Sequence, residues 1–307
     1  MRVAIIGQQA FGKAALDAFL ARGDLVAGVF VAPETPGAKP DPLSAAAREK
    51  GLPVFPTASY SASDTIDNMR RLKVDLGIMA YVLQIVPQAF CRVPRHGTIQ
   101  FHPSLLPRHR GPSSINWPVI LGKSHTGLTI FRPVDGLDEG PVILQKKVEI
   151  GPDDTVASLY FDKIFPLGVA ALVEAADLVM SGKAVERVQD ERQASYEGWV
   201  REAESRIHWA SPVDHVYNVI RGCNPAPGAW TTAGGKRLHI FDARKIVARS
   251  FAEVKGIKPG QVVAASAASF TVHAQGGFIE ALRCRFEDGK KITGGEAGMA
   301  IGTLLGD

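Results

Sequence analysis

A chain of 307 residues exceeds the usual span of one hydrophobic core, so one larger and one smaller domain are expected. Hydrophobic residues at 46% and charged residues at 21% describe a globular chain, and a net charge of +4 permits an anionic partner without requiring one. No uninterrupted apolar run reaches roughly 18 residues, so no membrane span is expected. The three cysteines, Cys91, Cys223 and Cys284, lie far apart and offer neither a disulfide framework nor a zinc spacing, so no metal is expected. The opening "MRVAIIGQQAFG" leads straight into a strand pattern without the apolar region of a signal peptide, and together with the cysteines it predicts a cytoplasmic location.

The first half alternates between strand and helix. "RVAIIG" is a continuous apolar run, as in parallel strands covered on both faces. "FGKAALDAFLARG" follows, with Ala14, Ala15, Ala18, Phe19 and Leu20 at helical spacing before a glycine stop. "LVAGVFV" is the next strand, "PLSAAAREKG" a helix and "LPVF" another short strand. This succession predicts a doubly wound, mostly parallel α/β sheet. Gly7 and Gly12 in "GQQAFG" do not make a G-x-G-x-x-G loop, and "VFVAPETPG" offers only Glu34, beyond a proline, where an acidic residue would hold a ribose. A tight strand-to-helix turn is the better reading, and nicotinamide chemistry is disfavoured.

Two more apolar strands, Leu76 to Tyr81 and Gly97 to Phe101, flank a short helix opened by Pro87. Ligands of open α/β sheets sit beyond the carboxyl ends of the strands, so residues 82–86 and 100–112 should share one crevice. "HTGLTIFRPVDGLDEGPVILQKKVEI" reads as a hairpin whose turn holds Asp135, Gly136, Leu137, Asp138 and Gly140. After residue 181 the chain becomes polar and reads as an extended connector. From about 207 an amphipathic helix, "SPVDHVYNVIRG", precedes short β-rich runs separated by glycine and proline, the pattern of a small barrel. The expected organisation is a catalytic domain over 1–181, a connector over 182–206 and a barrel domain over 207–307.

The stretch "TIQFHPSLLPRHRGPSSINW" ends an apolar strand on an amide and an imidazole. Gln100 and His102 lie two residues apart and so share one face of the strand. Asp138, delivered by the hairpin, would orient the imidazole and stabilise its charged form. With no serine or cysteine set as a nucleophile, this trio suits direct attack on a carbonyl carbon. The amide would donate to the developing oxyanion, and the His/Asp pair would move protons. One oxyanion donor contributes roughly 100- to 1,000-fold and a positioned acid or base about 100- to 10,000-fold. Taken singly, each of these residues also fits a structural role.

"FHPSLLPRHRGPSSINW" with "DGLDEG" downstream resembles the 10-formyltetrahydrofolate-dependent formyltransferase family. The resemblance is strongest to the hydrolase domain of 10-formyltetrahydrofolate dehydrogenase, then to methionyl-tRNA formyltransferase. It extends through "IGQQAFG", "PDDTVASLY", "SYEG" and "RGCNPAPGAW", in order, along nearly the whole chain. It implies 10-formyltetrahydrofolate as the donor substrate, with Gln100, His102 and Asp138 catalytic. It also implies a pterin pocket of Tyr81, Leu83, Gln84, Ile85, Val134, Asp135 and Gly136, beside a loop carrying Ser104, Arg108, Arg110 and Gly111. Formyltransferases of this family carry asparagine two residues before the histidine, and the dehydrogenase's hydrolase domain an aliphatic residue; here the position is Gln100. A glutamine keeps the amide donor and lengthens its reach by one methylene, so transfer to an amine and hydrolysis both stay open. The chain stops where a dehydrogenase domain would begin, so NADP chemistry is not expected. The barrel is implied to be OB-like, and Lys236, Arg237, Arg244, Lys245, Arg249, Lys255 and Lys258 could meet phosphates. Glu253, Glu280, Glu287 and Asp288 interrupt them, so tRNA is a possible but not a favoured acceptor.

Overall fold

The computed structural model describes residues 1–287 and 289–306, and by contact the chain divides into two units. The first comprises Met1–Pro112, Gly127–Val148 and Lys163–Glu197; the second comprises Ser113–Thr126, Glu149–Asp162 and Gly198–Asp307. The division is therefore no single cut. Two inner segments fold with the C-terminal part, and residues 182–197 of the expected connector fold with the first unit.

Unit one begins β1 (Arg2–Gly7), α1 (Gln9–Ala21), β2 (Leu25–Val31), α2 (Pro42–Glu49), β3 (Val54–Pro56), α3 (Ser63–Leu72), β4 (Leu76–Ala80), α4 (Gln88–Cys91) and β5 (Thr98–His102). The strand order is β3-β2-β1-β4-β5, all pairings parallel. Continuous apolar runs form these strands because both faces are covered: β1 is buried from Val3 onward. Gly7 ends β1 where a Cβ would lie 1.9 Å from the Ala80 carbonyl oxygen, so close strand packing accounts for this glycine. α2 starts at Asp41, whose carboxylate accepts the Leu43 and Ser44 amides, with Pro42 at the first helical position.

The chain then runs through α5 (Asn116–Ile120), which belongs to the second unit, and returns in β6 (His125–Phe131) and β7 (Val142–Glu149). β6 pairs antiparallel with β5, and β7 lies beyond β6, making a seven-stranded sheet. One side of the sheet packs Ile6, Phe30, Tyr60, Met69, Met79 and Phe90. At β5, Phe101 stacks on Phe11 of α1 with ring centroids 4.2 Å apart.

α6 (Val156–Ser158) continues through a π-helical turn over Leu159–Ile164 into α7 (Phe165–Met180). By length and composition this helical span, Val156–Met180, is long and apolar enough to cross a membrane, its most apolar window having a mean hydropathy of 1.6. The expectation from uninterrupted runs did not register it, because Asp162, Lys163, Glu174 and Asp177 break the run. Within unit one α7 behaves as a sheet-covering helix. It buries Ala171, Leu172, Ala175 and Ala176, and its charges are paired: Glu174 with Lys146 at 2.7 Å and Asp177 with Arg22 at 2.6 Å.

Unit two contains α8 (Val213–Gly222), β8 (Ala229–Ala233), β9 (Lys236–Val247), β10 (Val262–Ala265), β11 (Phe270–Ala274), β12 (Gly277–Phe286) and β13 (Ile292–Thr293). The sheet order is β10-β11-β12-β9-β8, with β13 on β12, and these strands pair antiparallel. Val216 and Ile220 of α8 join Leu238, Ile240, Val272 and Ile279 in its core. Residues 302–306 lie along both edges: on the β10 side the Gly302 and Leu305 amides donate to the Val262 and Gly260 carbonyls and the Thr303 carbonyl accepts the Val262 amide, and the Gly306 amide donates to the Thr232 carbonyl of β8. This is how the barrel expected from the sequence closes.

Candidate active site

The site lies within unit one, at the carboxyl ends of β4 and β5. β5 carries Gln100 half-buried and His102 buried, in register with Phe131 and Thr129 of β6. Period-two alternation puts both side chains on one face. Asp138 arrives from the turn between β6 and β7, and its carboxylate Oδ2 stands 3.5 Å from His102 Nδ1. That spacing is long for a hydrogen bond. The same Oδ2 accepts the Gly111 amide at 2.9 Å. His102 Nε2 faces the His109 carbonyl at 2.9 Å, so both ring nitrogens meet oxygen acceptors. Gln100 differs from its neighbours in that its amide has no hydrogen-bond partner among the described residues.

Backbone geometry explains why the loops need their residues. Tyr81, His109 and Asp138 have φ of 65°, 57° and 56°, the left-handed region that non-glycine residues enter at a cost of about 1–3 kcal/mol each. One stands in each of the loops after β4, after β5 and between β6 and β7, and the last two meet the ring of His102. The turn closes at Gly140, where a Cβ would lie 1.6 Å from the Arg132 carbonyl oxygen, so no other residue fits.

One hydrogen bond links the two segments expected to hold a pterin. After Tyr81, Leu83 and Ile85 leave their apolar side chains in solvent, while Gln84 Nε2 donates to the Thr57 and Ala58 carbonyls at 3.3 and 3.1 Å. The Gln88 amide donates to Asp135 at 3.1 Å, tying the start of α4 to the turn that carries Val134, Asp135 and Gly136. An amphipathic ligand could lie on exposed Tyr81, Leu83 and Ile85 with backbone polar groups at its edge.

Loop 103–111 is built from within. Buried Ser104 donates to the Arg108 carbonyl at 2.7 Å, and its own carbonyl accepts Thr129 Oγ1 at 2.7 Å. Gln145 Nε2 donates to the Leu106 carbonyl at 2.8 Å and to Thr129 Oγ1 at 3.0 Å. Arg108 is exposed, whereas Arg110 is buried and turns towards Glu191, reached at 2.6 Å, and Gln189, reached at 2.9 Å. The Glu191 hydrogen bond raises the Arg110 pKa, and Arg110 in turn lowers that of Glu191. Sequence reasoning missed Gln145, Gln189 and Thr129. An uncharged amide in a polar segment or a threonine in a strand carries no periodic signal.

Residues 1–176 match the formyl transferase family, and residues 200–299 match the formyl transferase C-terminal domain. The chain is 40% identical over 248 residues to cytosolic 10-formyltetrahydrofolate dehydrogenase of Homo sapiens, covering 79% of this chain and 27% of that one. It is 31% identical over 316 positions to methionyl-tRNA formyltransferase of Geobacter sulfurreducens, covering 100% of this chain and 97% of that one. In fold it is similar to HypX from Aquifex aeolicus in complex with tetrahydrofolic acid, at TM-score 0.69 and 18% identity over 97% of this chain and 46% of that chain.

Proposed function

The chain belongs to the formyl transferase family, and from that premise we propose that it takes the formyl group of 10-formyltetrahydrofolate and passes it to an amine by direct attack. The observation that carries this reading is Gln100: an unpaired, half-buried amide on the strand face of His102, beside a histidine and an aspartate that are already held. The pterin would lie against Tyr81, Leu83, Gln84, Ile85 and residues 134–136, placing the formyl carbon between Gln100, His102 and Asp138. The acceptor nitrogen forms a bond to that carbon, and Gln100 Nε2–H donates to the oxygen as it gains charge. His102, with Asp138 beside it, takes the proton from the attacking amine and returns one to N10 as the C–N10 bond breaks. To do so, His102 Nε2 must exchange the His109 carbonyl for substrate.

A second reading puts water in the amine's place, giving formate and tetrahydrofolate. It is favoured by the 40% identity to a protein named for 10-formyltetrahydrofolate dehydrogenase, of whose length this chain spans 27%. The test is to incubate the protein with 10-formyltetrahydrofolate and follow tetrahydrofolate release with and without small amines, amino sugar nucleotides and aminoacyl-tRNA. Release that rises with one amine and yields its formamide supports transfer. Amine-independent release with stoichiometric formate supports hydrolysis, and no release sinks both.

A further inference from the structure

Between Ser181 and Asp190 only one side chain is buried, that of Gln189. The segment following it is laced to the loop after β5. The Arg110 amide bonds the Ser195 carbonyl at 3.0 Å, the Ser195 amide bonds the Pro107 carbonyl at 3.1 Å, and the His109 amide bonds Ser195 Oγ at 2.9 Å. Gln189 uses both ends of its amide. Nε2 donates to the carbonyls of Asp138 at 2.8 Å and Gly140 at 2.7 Å, and Oε1 accepts Arg110 Nη2 at 2.9 Å. Arg110 precedes Gly111, whose amide donates to the Asp138 carboxylate. A closed ring results: Gln189 to Arg110, Arg110 through the backbone to Gly111, Gly111 to Asp138, and Asp138 back to Gln189.

His102 takes both of its partners from the two segments this ring joins, the His109 carbonyl from one and the Asp138 carboxylate from the other. Asp138 is held in the left-handed region, where an unrestrained aspartate would relax. We propose that Gln189 is the positioning residue of the site, clamping the 138–140 turn to the 107–111 loop so that Asp138 and His102 stay in register. This rests on the functional reading above. The buried amide acts as a two-headed spacer: loss of its donor removes the bond to two turn carbonyls, and loss of its acceptor leaves the Arg110 guanidinium held by Glu191 and no longer tied to the turn. Misplacement of a reacting group by about 1 Å costs on the order of 100-fold in rate.

The test uses Gln189→Leu, which removes both functions, and Gln189→Glu, which keeps the acceptor for Arg110 and turns an oxygen towards the two carbonyls. Arg192→Ala, a change at an exposed neighbour, is the control. Unfolding midpoints establish that the variants fold. Both Gln189 variants are expected to lose about 10- to 100-fold in kcat for formyl release while KM for 10-formyltetrahydrofolate stays within about two-fold. Their His102 ring signals in 15N-resolved NMR should shift in the direction seen for Asp138→Asn, and Arg192→Ala should match the parent. A parent-like kcat in Gln189→Leu, a loss confined to KM, or an unmoved His102 signal overturns the proposal. A parent protein inert towards 10-formyltetrahydrofolate instead overturns the functional reading, and the His102 signal then decides for Gln189 alone.

Discussion

On the proposed reading, Gln100, His102 and Asp138 would divide the chemistry between an amide donor and an imidazole with a carboxylate 3.5 Å from it. His102→Ala and Asp138→Asn should each lower turnover by about 100- to 10,000-fold with folate binding preserved, as measured by steady-state rates beside equilibrium titration of tetrahydrofolate. Parent-like rates in either variant would remove the pair from the mechanism. At position 100, Gln100→Asn should keep or raise amine transfer, and Gln100→Ile should lower transfer by roughly 100-fold or more relative to hydrolysis. Equal transfer by the isoleucine variant would show that the oxyanion is met by another donor. The thiols are a separate matter: burial pushes Cys91 and Cys223 up to about 12 and Cys284 to about 11. All three are free and buried, so a thiol reagent near neutral pH should leave the folded protein unmodified and label all three after denaturation. That Gln100 and His102 share a strand face was legible in the sequence because an amide and an imidazole end an otherwise apolar strand, and the approach of Asp138 to His102 was expected from the turn that carries it. Gln189 was not, since nothing in "RVQDERQASYEG" distinguishes a buried amide from a solvated one.

Loop 103–111 hangs from β6 by one hydroxyl. Thr129 Oγ1 is fully buried, donates to the Ser104 carbonyl, and accepts from the Leu106 amide at 3.1 Å and from Gln145. Thr129→Val keeps the shape and strands these partners, so it should cost about 2–3 kcal/mol in denaturant unfolding and lower turnover as the loop carrying His109 loosens. A valine variant of parent stability would mean that Gln145 and the bonds to Ser195, Gln189 and Asp138 hold the loop without Thr129. The strands and helices of the first hundred residues follow the sequence reading because apolar period and burial agree in them, as in β1, α1, β2 and β4. α3 escaped that reading: "SDTIDNMRRL" buries only Thr65 and Met69, too little to announce a helix. The antiparallel return of β6 along β5 is likewise set by loops and not by strand composition, which is the same for either direction.

Over the whole chain a net charge of +4 is small, and some of the basic residues expected to meet phosphates face carboxylates of the chain itself. In the second unit Arg237 pairs with Glu202, Arg244 lies 3.8 Å from Glu280 and Lys245 lies 2.5 Å from Asp214, while Asp288 falls outside the described residues. We therefore expect at most weak tRNA binding, falling with salt at a slope of about −0.9 in log affinity per phosphate contacted, and full folate turnover without RNA. Filter binding across a salt series checks this. Tight binding of initiator methionyl-tRNA at physiological salt, with formylation of its amino group, would overturn it. The bonds that residues 302–306 make with Gly260, Val262 and Thr232 have a consequence for solubility. These few residues act as a zip fastener. Trimming the chain from Gly302 onward would lay bare two backbone margins together, each able to recruit another molecule by strand addition. The shortened protein should then self-associate with concentration, visible as growing light scattering, while the site in the first unit keeps every residue it uses.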